Sequence, residues 1–262
     1  MKFGARPRDT LSLLQAAKSM NVNVVGVSFH VGSGCTNAEA FHDAVAAARR
    51  VFSEASSLGF HFTILDVGGG FPGHDSSNIS FKDITTVLNA ALDRYFPTDM
   101  GVDIIAEPGR YYVASAGTLA VNVVAKRQVK NPADESEYSV MYYVNDGVYG
   151  SFNCIMYDHA TVSPVLLRGP SEGTTSRNSS FWGPTCDGLD CIVKSIDFPE
   201  AHIGDWIIFE DMGAYTLAAG SCFNGFQRPS HIYTFSCTEF FDDSELPEGF
   251  PVTPRVQTMI NV

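Results

Sequence analysis

The chain has 262 residues, of which 45% are hydrophobic and 18% charged, so it can bury a sizeable core as one large domain or two ordinary ones. Its formal net charge of −12 argues against nucleic-acid binding, which needs clustered Lys and Arg, and is compatible with a cationic substrate. No signal-peptide core and no apolar run of ~20 residues are present, so we expect a cytoplasmic protein without membrane contact. The six cysteines lack zinc spacing, which predicts reduced thiols and no metal site.

The first ~110 residues alternate helix and strand signals. Helices are predicted over residues 9–20, after Asn37 as the N-cap, and after a Ser80–Asp83 capping box. The predicted strands between them are Val24–Val31, Thr63–Val67 and Asp103–Ala106. Such alternation predicts a parallel sheet, either doubly wound or part of a (β/α) barrel.

The second part of the chain is rich in short strand signals separated by Gly, Pro and Asn, which predicts an antiparallel β domain. Loops are predicted over residues 129–138 and 169–180, and a mobile acidic tail follows Asp242. The predicted strands are Ala116–Arg127, Val140–Asn145, Asp205–Glu210, Tyr215–Ala219 and His231–Phe235.

The loop 182–190, WGPTCDGLD, places a thiol (Cys186) beside a carboxylate (Asp187). The flanking glycines and Pro184 indicate a specific bent loop rather than a helix or strand. The pair suits a proton donor beside an anchor for a cationic substrate. Taken alone, the composition of the loop is more typical of a surface turn that carries an incidental thiol.

Three predicted strand ends carry polar residues where parallel α/β folds gather their chemistry. His30 could stack on a planar ring, with Ser33 and nearby glycine amides facing a phosphate; an ordinary strand-end histidine is the alternative. Gly68, Gly69 and Gly70 allow backbone amides to approach an anion. The run 107–110 could serve both ends of one ligand, or form a structural Glu–Arg ion pair.

A ring-stacking histidine, a carboxylate for a ring nitrogen and phosphate-binding glycines together suit pyridoxal phosphate. Six motifs in order, VVGVSFHVGSGC, LDVGGGFPG, AEPGRYYVASA, MYYVNDGVYGSFNC, WGPTCDGLD and MGAYT, resemble the eukaryotic ornithine decarboxylase family. The resemblance implies the C-terminal part of an alanine-racemase-like (β/α)8 barrel followed by an antiparallel β-sandwich or β-barrel domain. It also implies conversion of ornithine to putrescine and CO2 with pyridoxal 5'-phosphate as cofactor.

The resemblance implies a role for each matching residue on the cofactor side. His30 would stack on the cofactor ring, and Glu107 would pair with its ring nitrogen. The phosphate would be bound by a set drawn from the three strand ends and the last motif: Ser33, Gly68, Gly69, Gly70, Gly109, Arg110 and Tyr215.

On the substrate side, Asp158 and Asp187 would bind the distal ammonium of ornithine, with Tyr157 beside Asp158. Phe223 and Asn224 would line the substrate channel, and Cys186 would donate a proton to Cα after CO2 leaves. In this family the Cys186 loop reaches into the partner subunit's barrel, so the resemblance implies a homodimer with shared active sites.

The family's cofactor-binding lysine sits in a Val-Lys-Cys motif that does not occur among these residues; the lysines are Lys2, Lys18, Lys82, Lys126, Lys130 and Lys194. We therefore expect an N-terminally truncated decarboxylase, with roughly the last three of eight barrel strands, that is inactive alone. A second hypothesis is a non-catalytic regulator that resembles the antizyme inhibitors and binds antizyme. A third is a phosphate-binding α/β module of unknown substrate.

The resulting division of the chain has three parts. Residues 1–112 form the partial barrel, residues 113–240 the β domain, and residues 241–262 the acidic tail, whose last three residues resemble the destabilising tail of vertebrate family members.

Overall fold

The computed structural model describes residues 3–74, 79–131, 134–170 and 173–234, with the side chains of residue 131 and of residues 134–137 left out. Residues Met1–Arg228 form one compact unit, and Pro229–Val262 form another. Lys2 and the tail 241–262 lie outside the described residues. None of the described helices is both long and apolar enough to cross a membrane.

The larger unit has helices and parallel strands first, followed by longer, mostly antiparallel strands. The helices are α1 (Thr10–Ser19), α2 (Glu39–Ser57), α3 (Phe81–Tyr95), α4 (Gly109–Val113) and α5 (Asn153–Tyr157). The strands are β1 (Gly26–Ser28), β2 (Ile64–Asp66), β3 (Asp103–Ile105), β4 (Leu119–Asn131), β5 (Asp134–Val144), β6 (Val165–Leu166), β7 (Ser176–Trp182), β8 (Cys191–Pro199) and β9 (Trp206–Phe209).

Strands β1, β2 and β3 pair in parallel in that order, which confirms the predicted parallel sheet. Parallel neighbours need a crossover, and α2 and α3 supply the two crossovers here. Helix α2 buries one face because its apolar residues recur at helical spacing. The buried side chains of that face are Phe41, Val45, Ala48, Phe52 and Ala55, as the sequence predicts.

Two of the predicted helix caps have different outcomes. The Ser80 hydroxyl accepts a hydrogen bond from the Asp83 N–H, and the Asp83 side chain accepts one from the Ser80 N–H, which confirms the capping box. Asn37 is not the N-cap of α2: its Oδ1 accepts from the Glu39 N–H at 3.1 Å, and Ala38 occupies the cap position. The asparagine closes a turn before the helix begins.

The second sheet has six strands in the order β6-β9-β4-β5-β7-β8. Its core is closed by large side chains that are essentially inaccessible, among them Tyr142, Phe152, Phe181, Phe209 and Ile207. Most pairs are antiparallel, but β5 and β7 are parallel, so the sheet is mixed rather than purely antiparallel. The predicted combination of α/β and all-β parts is confirmed.

Four sequence predictions in the second part are wrong. Residues 129–138 and 169–180 contain the ends of strands β4, β5 and β7 rather than loops alone. Residues 215–219 form no strand, because Tyr215 has a left-handed φ of 55° and Leu217–Ala219 is a 3-10 turn. Residues 231–234 have no strand partner among the described residues, and Phe235 lies outside them.

A close backbone contact joins the first part of the unit to the β domain. The Gly213 N–H donates to the Ala114 carbonyl at 2.9 Å, and the Met212 N–H donates to the Gly117 carbonyl at 2.7 Å. A Cβ on Gly213 would lie 1.6 Å from the Val113 carbonyl oxygen. Glycine is therefore required where the segment that carries Tyr215 meets the end of α4.

We predict that Gly213→Ala lowers the free energy of unfolding by about 3 kcal/mol, because the methyl group would force two backbone segments apart. The measurement is the midpoint of urea unfolding followed by circular dichroism. Gly188→Ala is the matched control, since a Cβ at Gly188 meets no atom within 4 Å. Equal midpoints for the two variants would contradict the tight contact.

Candidate functional site

The carboxyl ends of the three parallel strands meet at one edge of the sheet. The Phe29 N–H donates to the Asp66 carbonyl at 3.0 Å, and the Val67 N–H donates to the Ile105 carbonyl at 2.9 Å. Beyond the strands, the Glu107 N–H donates to the Gly68 carbonyl at 2.7 Å. The ladder therefore brings His30, the glycine run and Glu107 together, as the sequence predicts from the topology.

The glycine run is shaped by these neighbours. Gly68 and Gly70 have φ values of 65° and 98°, a region that favours glycine. A Cβ on Gly69 would lie 3.0 Å from His30 Nε2 and 2.9 Å from the Glu107 carbonyl oxygen. The loop thus passes directly beside the imidazole, and side chains there would fill the space where a ligand could approach the backbone.

Asp66 is a residue whose contribution the sequence reasoning missed. Its carboxylate is buried, with Oδ1 accepting from the Gly68 N–H at 2.8 Å and Oδ2 accepting from the Ser28 hydroxyl at 3.1 Å. These two bonds fix the start of the glycine run against β1. The signal was its place directly before the glycines, at the last position of β2.

His30 and Glu107 both present their side chains to solvent. His30 Nδ1 accepts from the Gly32 N–H at 2.9 Å, which orients the ring and leaves Nε2 on the Gly69 side. The Glu107 carboxylate makes no hydrogen bond to any described residue, so it is available to a ligand. The Gly109 N–H is already engaged, since it donates to the Glu107 carbonyl at 2.8 Å.

Arg110 connects both parts of the unit. Its Nη2 donates to Ser33 Oγ at 3.2 Å and forms an ion pair with Asp158 Oδ2. Its Cζ lies 4.8 Å from the centroid of the Tyr215 ring, a cation–π contact. Three predicted site residues from three separate segments therefore meet at the guanidinium of a fourth, and the carboxylate partner of Arg110 is Asp158 rather than Glu107.

Four of the remaining predicted residues, Cys186, Asp187, Phe223 and Asn224, form a second group around the Cys186 loop. Asn224 Nδ2 lies 3.5 Å from Cys186 Sγ, and both side chains are exposed. Asn224 has a φ of 56°, a conformation that Asn tolerates better than most residues. No hydrogen bond or ring contact in the described ranges connects Cys186 with His30, Glu107 or Arg110. Tyr157, next to Asp158, is 71% exposed.

Tyr149 holds this second group together, and the sequence reasoning did not single it out. Its hydroxyl donates to Asp187 Oδ2, and its ring lies 4.4 Å from the Phe223 ring between centroids. Its carbonyl accepts from the Ser221 hydroxyl at 3.0 Å. The pKa of Tyr149 is raised to about 12, mainly by the hydrogen bond to Asp187 and secondly by burial. The same hydrogen bond lowers the pKa of the Asp187 carboxyl.

A buried carboxylate shapes the Cys186 loop from within. Asp190 Oδ2 accepts from the Thr185 N–H at 3.0 Å and from its hydroxyl at 2.7 Å, while Oδ1 accepts from the Val148 N–H at 2.9 Å. A Cβ on Gly147 or Gly183 would lie about 2 Å from Asp190 Oδ1. The loop is therefore held in one bent conformation by Asp190, as its flanking glycines and Pro184 predict.

The group at the strand ends, which contains His30, the glycine run, Glu107 and Arg110, fits pyridoxal phosphate. The arginine and the glycine run offer donors for a phosphate beside an exposed imidazole, and a free carboxylate lies on the next strand end. The described residues contain no group of three His, Cys, Asp or Glu side chains that could hold a metal ion.

Comparison with known proteins agrees with this geometry. Residues 1–114 match the family model described as pyridoxal-dependent decarboxylase, pyridoxal binding domain, and residues 62–213 match its C-terminal sheet domain. The chain is 58% identical over 240 residues to an ornithine decarboxylase of Cricetulus griseus and 55% identical over 237 residues to antizyme inhibitor 2 of Xenopus laevis. These alignments cover 90% and 88% of the chain, but only 53% and 52% of the relatives, so the chain spans about half their length.

Solved structures show the same fold. The arginine decarboxylase of Paramecium bursaria Chlorella virus bound to agmatine has a TM-score of 0.78 at 37% identity, over 86% of this chain and 58% of that one. The lysine/ornithine decarboxylase of Vibrio vulnificus complexed with cadaverine has a TM-score of 0.75 at 34% identity, over 87% and 59%. With a matching family model over more than half of its length, this chain belongs to the pyridoxal-dependent decarboxylase family.

Proposed function

We propose that the chain carries active-site residues of an ornithine decarboxylase, which converts L-ornithine to putrescine and CO2. The observation that carries the proposal is the convergence of Ser33, Arg110, Asp158 and Tyr215 at the carboxyl end of the parallel sheet. Three ornithine decarboxylases, from Cricetulus griseus, Mus musculus and Rattus norvegicus, are each 57–58% identical to this chain, and this similarity supports ornithine as the substrate. Arg110 lies between Ser33 and Asp158, where its guanidinium can bind the phosphate of a cofactor close to the substrate.

On the cofactor side, Ser33, Arg110 and the glycine run would hold the phosphate. The Tyr215 ring would hold the Arg110 guanidinium in position through the cation–π contact. The His30 ring would cover one face of the pyridine ring, and Glu107 would hold the proton on the ring nitrogen. Bound pyridoxal phosphate supplies the electron sink that makes loss of CO2 from an amino acid possible. The Glu107 carboxylate is suited to its role because it has no partner among the described residues.

On the substrate side, Asp158 and Asp187 would bind the distal ammonium of ornithine, and Tyr157 would stand beside that group. Phe223 and Asn224 would line the channel, and the Cys186 thiol would donate its proton to Cα after CO2 leaves. Asn224 Nδ2, 3.5 Å from the sulfur, can donate to the thiolate that remains. The contacts of the second group thus support a proton donor and an ammonium anchor on one loop.

We propose that the ornithine decarboxylase to which these residues belong acts as a homodimer in the cytoplasm. Cys186 and Asp187 belong to a group that no hydrogen bond between described residues connects with the phosphate-side group, although the proposed reaction needs both groups. A second subunit that presents its Cys186 loop to the first subunit's His30 and Arg110 would resolve this. Antizyme is a further candidate partner.

The Val-Lys-Cys motif that carries the family's cofactor-binding lysine does not occur in this sequence. We propose that none of the lysines present binds the cofactor covalently. Lys18 Nζ donates to the Leu58 carbonyl and Lys126 Nζ to Glu200, so neither points to the strand ends. We therefore predict that the purified chain, given pyridoxal phosphate and carboxyl-labelled ornithine, releases no CO2 above background. Release at the rate of the Cricetulus griseus enzyme would contradict this proposal.

A mixing experiment tests whether the Cys186 loop can act in the active site of a full-length subunit. The chain is mixed with the Cricetulus griseus decarboxylase in which the residue aligned with Cys186 is changed to alanine. We predict that mixing restores ornithine decarboxylation, because the chain supplies the thiol and the full-length subunit supplies the lysine. The matched control is the chain with Cys186→Ala, which should restore nothing; equal rates with both chains would show that Cys186 is not the donor.

A second candidate function is a non-catalytic regulator of polyamine metabolism that resembles the antizyme inhibitors. The observation that favours it is the 55% identity to antizyme inhibitor 2 of Xenopus laevis. Retention of Glu107, Asp158, Cys186 and Asp187 favours the decarboxylase instead. Antizyme binding by the chain, together with no restored decarboxylation in the mixing experiment, would favour the regulator.

The Tyr149–Asp187 bond makes a prediction about titration. We predict that Asp187→Asn lowers the pKa of Tyr149 from about 12 toward 10, because the donor loses its anionic acceptor. Since this pKa is raised in the folded chain, the bond contributes stability that is complete below pH ~10 and lost as the pH rises through about 12.

The measurement is NMR titration of ¹³Cζ-labelled tyrosine, with Tyr149→Phe to assign the resonance. Asp43→Asn is the control, because this exposed carboxylate on α2 contacts only His42 among the described residues. A Tyr149 titration that Asp187→Asn leaves unchanged would contradict the bond.

A further inference from the structure

A single nitrogen of Arg110 serves two partners that have different roles in the proposed function. Nη2 donates to Ser33 Oγ at 3.2 Å, on the phosphate side, and forms the ion pair with Asp158 Oδ2, on the ammonium side. The Arg110 and Asp158 side chains are only 22% and 19% exposed, so water screens the pair weakly. The two halves of the site therefore share one charged group.

A phosphate on Arg110 would compete with Asp158. Arginine binds phosphate through the same N–H groups that it offers to a carboxylate. A carboxylate held against the guanidinium also repels an incoming anion, strongly so where both groups are partly buried. A phosphate that takes over Nη2 of Arg110 thus requires Asp158 to give up its contact or to have its charge neutralised.

Asp158 is placed so that it can take another partner. It ends helix α5, where its backbone N–H donates to the Cys154 carbonyl at 3.0 Å and anchors its main chain. Its Oδ1 makes no hydrogen bond to any described residue, so a cation can approach the same carboxylate. The Tyr215 ring lies against the guanidinium at 4.8 Å and supports it whichever anion is bound.

We propose that Asp158 and a phosphate exchange at Arg110, so that phosphate binding at Arg110 and binding of a diamine at Asp158 are positively coupled. This inference rests on the proposed function, which assigns the phosphate to Arg110 and the ammonium to Asp158. A phosphate releases Asp158 for an ammonium group, and an ammonium group on Asp158 releases Arg110 for a phosphate. Because the coupling is between two binding equilibria, it has the same magnitude in both directions.

The test measures binding of inorganic phosphate to the whole chain by isothermal titration calorimetry, with no enzymatic activity involved. We predict that Asp158→Asn binds phosphate about tenfold more tightly than the unmodified chain, since the competing charge is removed. The matched control is Asp93→Asn, which makes the same change of charge at an exposed position on α3. It should leave the phosphate affinity unchanged.

A second measurement begins with the unmodified chain, so it remains informative if the variant fails to fold. Putrescine, added as the diamine, should strengthen phosphate binding by the unmodified chain about fivefold, and this effect should vanish in Asp158→Asn. Equal phosphate affinities of the unmodified chain and Asp158→Asn, or no effect of putrescine, overturn the exchange but leave Arg110 as a phosphate ligand. No phosphate binding by either chain overturns the exchange and the proposed phosphate site together.

Discussion

The guanidinium of Arg110 is the contact on which the candidate site depends. It reaches from the end of the parallel sheet to Ser33 on one side and to Asp158 and Tyr215, which come from the β domain, on the other. Without this charge, Asp158 would be a partly buried carboxylate with no cation beside it, which is costly in a protein interior. One residue therefore connects polar side chains of the α/β part with those of the β domain, although the two parts have separate hydrophobic cores.

Glycine and aspartate together create the space around this contact. Gly213 lets the chain pass so close to α4 that Tyr215 can lie against Arg110, and Gly69 lets the glycine run pass beside His30. Buried Asp66 and Asp190 then fix the glycine run and the Cys186 loop through backbone N–H groups. Each loop is held by a carboxylate that accepts at least two hydrogen bonds from the residues around it.

Parts of this arrangement could be predicted because they depend on local physics. The amphipathic face of α2, the capping box at Ser80 and the parallel order of β1 to β3 follow from side-chain period and from the need for crossovers. The segment 215–219 could not be predicted, since its apolar composition fits a strand while the left-handed φ of Tyr215 is imposed by contacts with distant residues. The parallel pairing of β5 with β7 was also missed, because pairing direction is decided by the path of the intervening chain.

The sequence by itself determined which side chains are candidates for the chemistry, because the histidine, the glycine run, the Glu-Pro-Gly-Arg segment and the Cys-Asp loop stand in ordered motifs. It also determined the fold class, since apolar periodicity is a local property. Only the tertiary structure decided that Arg110 pairs with Asp158 rather than with Glu107, and that Tyr149 contacts Asp187. The physical reason is that hydrogen bonds and ion pairs form between groups within about 3–4 Å in space, and Arg110 and Asp158 are 48 residues apart along the chain.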